Sequence, residues 1–168
     1  MFKYKVLLVD DEEEVTNMIE ERIDWAGLGF EVAGKAQNGV KALELSEKVQ
    51  PDVVITDIKM PYMNGLELAR YMKQENPGVR ILILTGFDEF EYAKEAVHLE
   101  IDEYILKPVD FEDFKRILQS LIYQIDQRRI VHQEEMFSNL LKGASEGEGM
   151  LGQSYMISVV RGKAILEL

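Results

Sequence analysis

Acidic residues directly follow two of the most apolar runs in the chain. Asp10 and Asp11 come after VLLV (6–9), and Asp57 comes after VVIT (53–56). Carboxylates held close together repel one another, so a protein that gathers them at strand ends requires a cation. Hard oxygen ligands that leave some water coordinated are what Mg²⁺ prefers. The pattern therefore predicts a magnesium site, provided that the fold brings the three carboxylates together.

A hydroxyl and an ammonium group follow two later apolar runs. Thr85 ends ILILT (81–85), and Lys107 ends YILK (104–107). Beside a metal-bound carboxylate, such groups can stabilise charge on the equatorial oxygens of a phosphoryl group. Asp57 is then the candidate nucleophile, and its attack on phosphorus would give an acyl phosphate. These residue types predict a phosphoryl site.

Strands and helices in alternation must position these residues. Four apolar runs of strand length alternate with segments of helical spacing, which favours a parallel sheet with helices on both faces. Continuously apolar runs suit central strands, whereas the alternating FEVAGKA (30–36) and the short EYILK (103–107) suit edges. We predict an α/β fold with a flavodoxin-like, doubly wound, five-stranded parallel sheet of order 2-1-3-4-5, although a few other orders also satisfy the pattern. In that order the site lies at the carboxyl ends of strands 1 and 3. The four runs are 6–9, 53–55, 81–84 and 104–106.

Composition excludes several classes of function. The chain has 168 residues, a formal net charge of −12 and no cysteine. Excess negative charge argues against direct binding of nucleic acid or an anionic membrane. The absence of cysteine excludes disulfides, thiolate metal sites and cysteine nucleophiles. The first apolar segment is too short for a signal peptide and no run reaches membrane-span length, so we expect a cytoplasmic location.

The chain beyond the sheet is predicted to be helical and then flexible. Helical spacing resumes at Phe111 and extends to Gly143. We expect a first domain over 1–126 with an extended C-terminal helix and a helical extension over 127–143. Residues 144–168 are expected to be a flexible linker and the truncated start of a further domain. The chain is then expected to be a fragment of a longer protein or a domain with a vestigial tail.

The ordered set of motifs carries a resemblance to a known family. The motifs lie in a fixed order at or just after the ends of the predicted strands. They are Asp10-Asp11, Asp57, MPYMNG (60–65), Thr85 and Lys107-Pro108. With these motifs, residues 3–125 resemble the receiver domain of two-component response regulators. The segment GFDEFEYAKEAVHLEIDEYILKPV is similar to receivers of the branch attached to AraC-type helix-turn-helix output domains. Control of transcription through an output domain outside this chain is the expected function.

The resemblance implies a role for each acidic residue. Asp57 would be the phosphoacceptor, taking a phosphoryl group from a sensor histidine kinase. Asp11 and Asp57 would bind Mg²⁺ directly, together with the backbone carbonyl of Lys59. Asp10 would act largely through water. No enzyme activity is expected beyond self-phosphorylation from small acyl phosphates and slow self-dephosphorylation.

The resemblance also implies a switch and a lysine aimed at the site. Thr85 would move toward the phosphoryl group while the ring of Tyr104 rotates inward behind it. Lys107 precedes Pro108, and in the family that peptide bond is typically cis. An alternative interpretation of Tyr104 is that it is an ordinary aromatic residue of an edge strand with no switch role.

Two further sets of residues follow from similar receivers. Lys59 and Phe87 lie two positions beyond the acceptor and the threonine, where side chains modulate dephosphorylation. Neither can orient a water as a carboxylate or amide would, so we expect a slowly decaying phosphorylated state. Val15, Met18 and Pro108 are expected to form the docking surface for the kinase. Weak homodimerisation through the long helix, strengthened by phosphorylation, is a hypothesis.

Two other functions compete with this interpretation. Phosphatases with an aspartate nucleophile usually place a second acid two positions later, where this chain has Lys59. A receiver-like interaction module that is never phosphorylated is the other alternative. Flavin binding is disfavoured because the acidic stretch after strand 1 would repel a phosphate.

Overall fold

The structure is a computed structural model that describes residues 3–86 and 101–146. Within these residues strands and helices alternate, and they are numbered here in chain order. The strands are β1 (Tyr4–Val9), β2 (Phe30–Ala36), β3 (Val53–Asp57), β4 (Arg80–Thr85) and β5 (Glu103–Leu106). The helices are α1 (Glu13–Arg22), α2 (Gly39–Val49), α3 (Gly65–Glu75) and α4 (Phe111–Glu146).

The five strands form one parallel sheet of order β2-β1-β3-β4-β5, which confirms the predicted topology. The burial of the strands explains this order. Every residue of β3 is buried, and β1 and β4 are buried except at Lys5 and Thr85. The strands β2 and β5 retain exposed or half-buried positions, as edge strands do.

One face of the sheet packs against α2 and α3. Alternate residues of the central strands, such as Leu7, Val54 and Ile83, share an apolar cluster with helix residues that include Ala42 and Leu66. Because side chains alternate between the two faces of a strand, this periodicity selects one face for these helices. Burial of this cluster supplies the main driving force for covering that face.

Aromatic residues join the other parts of the domain. The ring of Trp25 stands edge-on to Phe30 and to Phe114, with centroids 6.4 and 6.3 Å apart. Phe30 starts β2 and Phe114 lies in the first turns of α4, and both are fully buried. The indole N–H of Trp25 donates to the carbonyl of Glu20 at 3.2 Å, which satisfies its one polar group. Trp25 thereby ties the loop after α1 to the sheet and to α4.

Asparagine side chains begin two of the helices. Asn38 accepts a hydrogen bond from the backbone N–H of Lys41 and starts α2. Asn64 accepts from the N–H groups of Leu66 and Glu67, and the Glu67 carboxylate accepts from the N–H of Asn64. This reciprocal capping box satisfies donors that the first turn of a helix leaves free. Both Asn-Gly pairs, which turn propensity alone assigns to turns, are therefore helix starts.

The chain divides into two compact units, one ending at Ser120 and the other beginning at Leu121. The helix α4 contributes its residues up to Ser120 to the first unit, and it ends at Glu146 rather than at Gly143. Among the described residues, none lies in a helix long and apolar enough to cross a membrane. The helical segment expected between the fourth and fifth strands, and the tail over 147–168, lie outside the described residues.

Gly65 allows α3 to start directly against the end of β3. A Cβ atom at this position would lie 2.0 Å from the backbone oxygen of Asp57, far inside contact distance. The N–H of Gly65 also donates to the carbonyl of Ile58 at 2.9 Å. Only a residue without a side chain permits this approach, so Gly65 determines how closely the helix and strand meet.

Replacing Gly65 with alanine should therefore destabilise the domain. Gly65→Ala forces either the strand end or the helix start to shift, and we expect the free energy of unfolding to fall by about 2 kcal/mol. Gly78→Ala is the matched control, because its new Cβ would meet only the flexible side chain of Asn76 at 3.2 Å. Urea denaturation measures both variants. Equal stability of the two would contradict the close-approach argument.

Candidate functional site

The carboxyl ends of four parallel strands carry the candidate residues to one edge of the sheet. Asp10 follows β1, Asp57 ends β3, Thr85 ends β4 and Lys107 follows β5. Because parallel strands share one direction, their carboxyl ends face the same side. Asp10 and Asp57 are almost fully buried, at 1% and 5% exposure. Two buried carboxylates from neighbouring strands require positive charge close by.

Lys107 supplies that positive charge. Its Nζ lies 2.6 Å from Oδ1 of Asp57 and 2.9 Å from Oδ2 of Asp10, which joins the two carboxylates through one ammonium group. Burial alone would lower the pKa of Lys107, but the hydrogen bonds and negative charges of the two aspartates outweigh it and raise the pKa. The lysine is therefore held in its charged form. The peptide bond between Lys107 and Pro108 is cis, as the resemblance implies.

Asp10 also stabilises the start of α1. Its Oδ1 accepts the backbone N–H of Glu12 at 2.9 Å while Oδ2 accepts from Lys107. The side chain of Asp11, in contrast, is exposed. Within the part of the chain that the structure describes, no three acidic or histidine side chains lie close enough to form a metal cluster. The structure thus brings together Asp10, Asp57 and Lys107, and it leaves Asp11 at the rim.

The donor set at this edge is still chemically suited to Mg²⁺. Asp10, Asp11 and Asp57 offer carboxylate oxygens, and Lys59 offers a backbone carbonyl in the loop that follows β3. Magnesium binds proteins through one or two carboxylates and keeps several waters, so it needs no closed cage of acids. The ammonium of Lys107 contacts carboxylate oxygens of Asp10 and Asp57, so the lysine and the ion would share these two acids.

The loop after β3 is tightly turned. The N–H of Met63 donates to the carbonyl of Pro61 at 2.9 Å across Tyr62, whose φ is 70°. This three-residue turn with positive φ is a strained γ-turn, and a tyrosine there has unfavourable backbone sterics. The Tyr62 side chain is 90% exposed, so its own packing does not offset the strain. Neighbouring bonds, such as that from Gly39 N–H to the Met63 carbonyl at 3.3 Å, hold the loop in place.

The two predicted switch residues lie on adjacent strands. Thr85 is half-buried, and its hydroxyl donates to the carbonyl of Gly86 at 3.2 Å. Tyr104 on β5 pairs in register with Ile83 on β4 and is 36% exposed. Partial burial raises the pKa of the Tyr104 phenol, so the ring remains neutral. The carbonyl of Thr85 accepts the N–H of Lys107 at 2.8 Å, which joins the ends of the two strands.

The residues expected to dock a kinase are accessible to different degrees. Met18 and Pro108 are exposed, while Val15 is half-buried in the first turn of α1. Lys59, one of the two residues expected to modulate dephosphorylation, is exposed beside the site. The other, Phe87, lies outside the described residues. Their roles stay predictions.

The structural roles of Thr56 and of the ion pair between Arg80 and Asp102 were not predicted from the sequence. Thr56 is fully buried and its hydroxyl donates to the backbone carbonyl of Asp57 at 2.9 Å. At the opposite end of the sheet, buried Arg80 pairs with Asp102, which also accepts the backbone N–H of Ile81 at 2.8 Å. The signal for Arg80 was present, because this charged residue directly precedes the apolar run 81–84. A buried charge there requires a partner.

The chain matches the response regulator receiver domain over residues 6–119. It is 42% identical over 132 residues to an uncharacterized transcriptional regulatory protein of Bacillus subtilis, YesN, covering 79% of this chain and 36% of that protein. It is 33% identical over 145 residues to the transcriptional regulatory protein HptR of Staphylococcus aureus, covering 83% and 57%. This chain therefore spans only about a third to a little over half of these relatives.

Solved structures agree with the family match. The receiver domain of AraT, a response regulator from Geobacillus stearothermophilus, superposes with a TM-score of 0.66 at 37% identity, covering 77% of this chain and 98% of that one. A two-component transcriptional regulator AraC from Clostridium phytofermentans gives a TM-score of 0.70 at 29% identity, covering 76% and 98%. One similarity is therefore to the receiver domain of a response regulator, and the other is to a two-component transcriptional regulator. By sequence and fold, the chain belongs to the response regulator receiver domain family, a family of signalling modules related here to transcriptional regulators.

Proposed function

We propose that this receiver is switched by phosphorylation of Asp57. The observation that carries the proposal is the position of Lys107, whose ammonium contacts the carboxylates of both Asp57 and Asp10. A carboxylate at a strand end with a cation beside it is arranged for attack on phosphorus and for neutralising the charge that develops. The aspartate-nucleophile phosphatase is a poorer fit, because Lys59 stands where the second acid would be.

In the proposed reaction, a carboxylate oxygen of Asp57 forms a bond to phosphorus. The bond from phosphorus to its donor, a histidine nitrogen of the kinase or an acyl oxygen, breaks, and the electron pair leaves with the donor. A magnesium ion held by Asp10, Asp11, Asp57 and the Lys59 carbonyl would neutralise charge on the phosphoryl oxygens. The ammonium of Lys107 can then contact a phosphoryl oxygen while remaining close to Asp10.

The signal would leave the site through β4 and β5. The Thr85 hydroxyl donates to the carbonyl of Gly86 at 3.2 Å, a long hydrogen bond that can be exchanged for one to a phosphoryl oxygen. The Tyr104 side chain on the next strand is partly exposed, and its ring would rotate inward behind Thr85. A sensor histidine kinase is the proposed donor. The proposed output is control of transcription, since the longer relatives are named transcriptional regulatory proteins, with weak dimerisation along α4.

Phosphorylation of Asp57 is tested by intact-protein mass spectrometry. Incubation with Mg²⁺ and acetyl phosphate should add a single phosphoryl mass that alkali removes. Asp57→Asn should abolish the addition, since an amide oxygen is a poor nucleophile. Asp52→Asn is a matched control, because Asp52 is a half-buried acid of the same domain just before β3. An unchanged mass for the wild-type chain would instead favour an interaction module that is never phosphorylated.

Kinase docking is tested most cleanly at Met18. Met18 is 38% exposed on α1, so Met18→Asp should leave the fold intact, whereas Val15 is half-buried. We expect transfer from a phosphorylated histidine kinase domain to slow by about tenfold, with phosphorylation from acetyl phosphate unchanged. Tyr71→Asp on α3, at a position 51% exposed, is the matched control. Equal slowing with both donors would indicate damage to the site rather than lost docking.

A further inference from the structure

Thr56 is a polar residue in an apolar setting. It lies in β3 between Ile55 and Asp57 and has no exposed surface. Its side chain shares a strand face with Val54 and Ile58, both members of the apolar cluster that α2 and α3 cover. A hydroxyl buried among such residues is unfavourable unless it forms a hydrogen bond. The hydroxyl of Thr56 meets this need by donating to the backbone carbonyl of Asp57 at 2.9 Å.

The same carbonyl is confined from a second side. The α-carbon of Gly65 packs so close that a Cβ there would lie 2.0 Å from the Asp57 oxygen and 3.1 Å from Oγ1 of Thr56. The peptide that follows Asp57 is thus held between the Thr56 hydroxyl and the first residue of α3. Rotation of this peptide would break the hydrogen bond or collide with Gly65.

The orientation of that peptide affects the chemistry at Asp57. The peptide and the side chain share the α-carbon, so a displacement of the peptide that moves this α-carbon also moves the carboxylate. The Asp57 carboxylate oxygen must keep its position 2.6 Å from Nζ of Lys107 and also point at an incoming phosphorus. Transfer rates are sensitive to such alignment, because a displacement of about 1 Å can cost about a hundredfold.

We infer that Thr56 is a positioning residue: its buried hydroxyl fixes the Asp57 peptide so that the carboxylate is aligned for phosphoryl transfer. This inference rests on the proposed phosphorylation of Asp57. The competing account is that Thr56 only fills space in the apolar face. The two accounts differ in which part of the side chain matters, the hydroxyl or the methyl group.

Two substitutions at this position separate the hydroxyl from the methyl group. Thr56→Val keeps the shape and removes the donor, whereas Thr56→Ser keeps the donor and removes a buried methyl group. We expect phosphorylation by acetyl phosphate with Mg²⁺ to be about tenfold slower in Thr56→Val and close to wild type in Thr56→Ser. The melting temperature should fall more in Thr56→Ser, because the lost methyl group leaves a cavity. Rate and stability thus rank the two variants in opposite orders.

Thr16→Val is the matched control. Thr16 is also a buried threonine whose hydroxyl donates to a backbone carbonyl at 2.9 Å, but its acceptor is Glu13 in α1. We expect its phosphorylation rate to stay at the wild-type value. A rate for Thr56→Val equal to wild type, or one for Thr56→Ser as slow as for Thr56→Val, would overturn the positioning role. A wild-type chain that takes up no phosphoryl group would overturn the proposed function itself, which is a distinct result.

Discussion

The contact of one ammonium group with two buried carboxylates underlies the organisation of this domain. Asp10 and Asp57 come from neighbouring strands, whereas Lys107 comes from the edge strand β5, with β4 between it and β3. Neighbouring strands are about 4.8 Å apart, so the lysine reaches the carboxylates only through its long flexible side chain. The strand order, the buried acids and the edge position of β5 therefore depend on one another. A different order would move the ammonium away from these two buried negative charges.

A second constraint acts on the backbone beneath the site. Three segments meet in a small volume: the end of β3, the γ-turn at Tyr62 and the start of α3. Within it, Gly65 lies against the carbonyl of Asp57. The capping box between Asn64 and Glu67 fixes where the helix begins, and the hydrogen bond from Gly65 to Ile58 fixes how it meets the strand. Reactive side chains on such a rigid frame keep their direction without many contacts of their own. The strain in the loop is sustained by this surrounding structure.

The sequence predicted best the strands whose position depends on burial of apolar side chains away from water. Continuous apolar runs such as 6–9 and 53–55 marked the buried central strands, and the chemistry of residues at their ends located the site. Local geometry was harder to foresee. An Asn-Gly pair suits a turn and a helix cap equally well, and only the position of Glu67 after Asn64 distinguishes them. The hydroxyl of Thr56 donates to a backbone carbonyl, and the direction of that carbonyl cannot be predicted from the types of the side chains. The carboxylates were expected to meet a metal ion, but an ammonium of the chain already contacts two of them.

The separation of the site residues along the chain has a consequence for synthesis. The hydrogen bond between Lys107 and Asp10 joins residues 97 positions apart, so the loop that it closes contains nearly all of the sheet. Contacts of such long range form late, after the intervening strands have paired. During translation, a chain that still lacks β5 has its two acids but no ammonium beside them. Under the proposed function, a nascent receiver would become responsive only after β5 has emerged, so its first response would coincide with completion of the sheet.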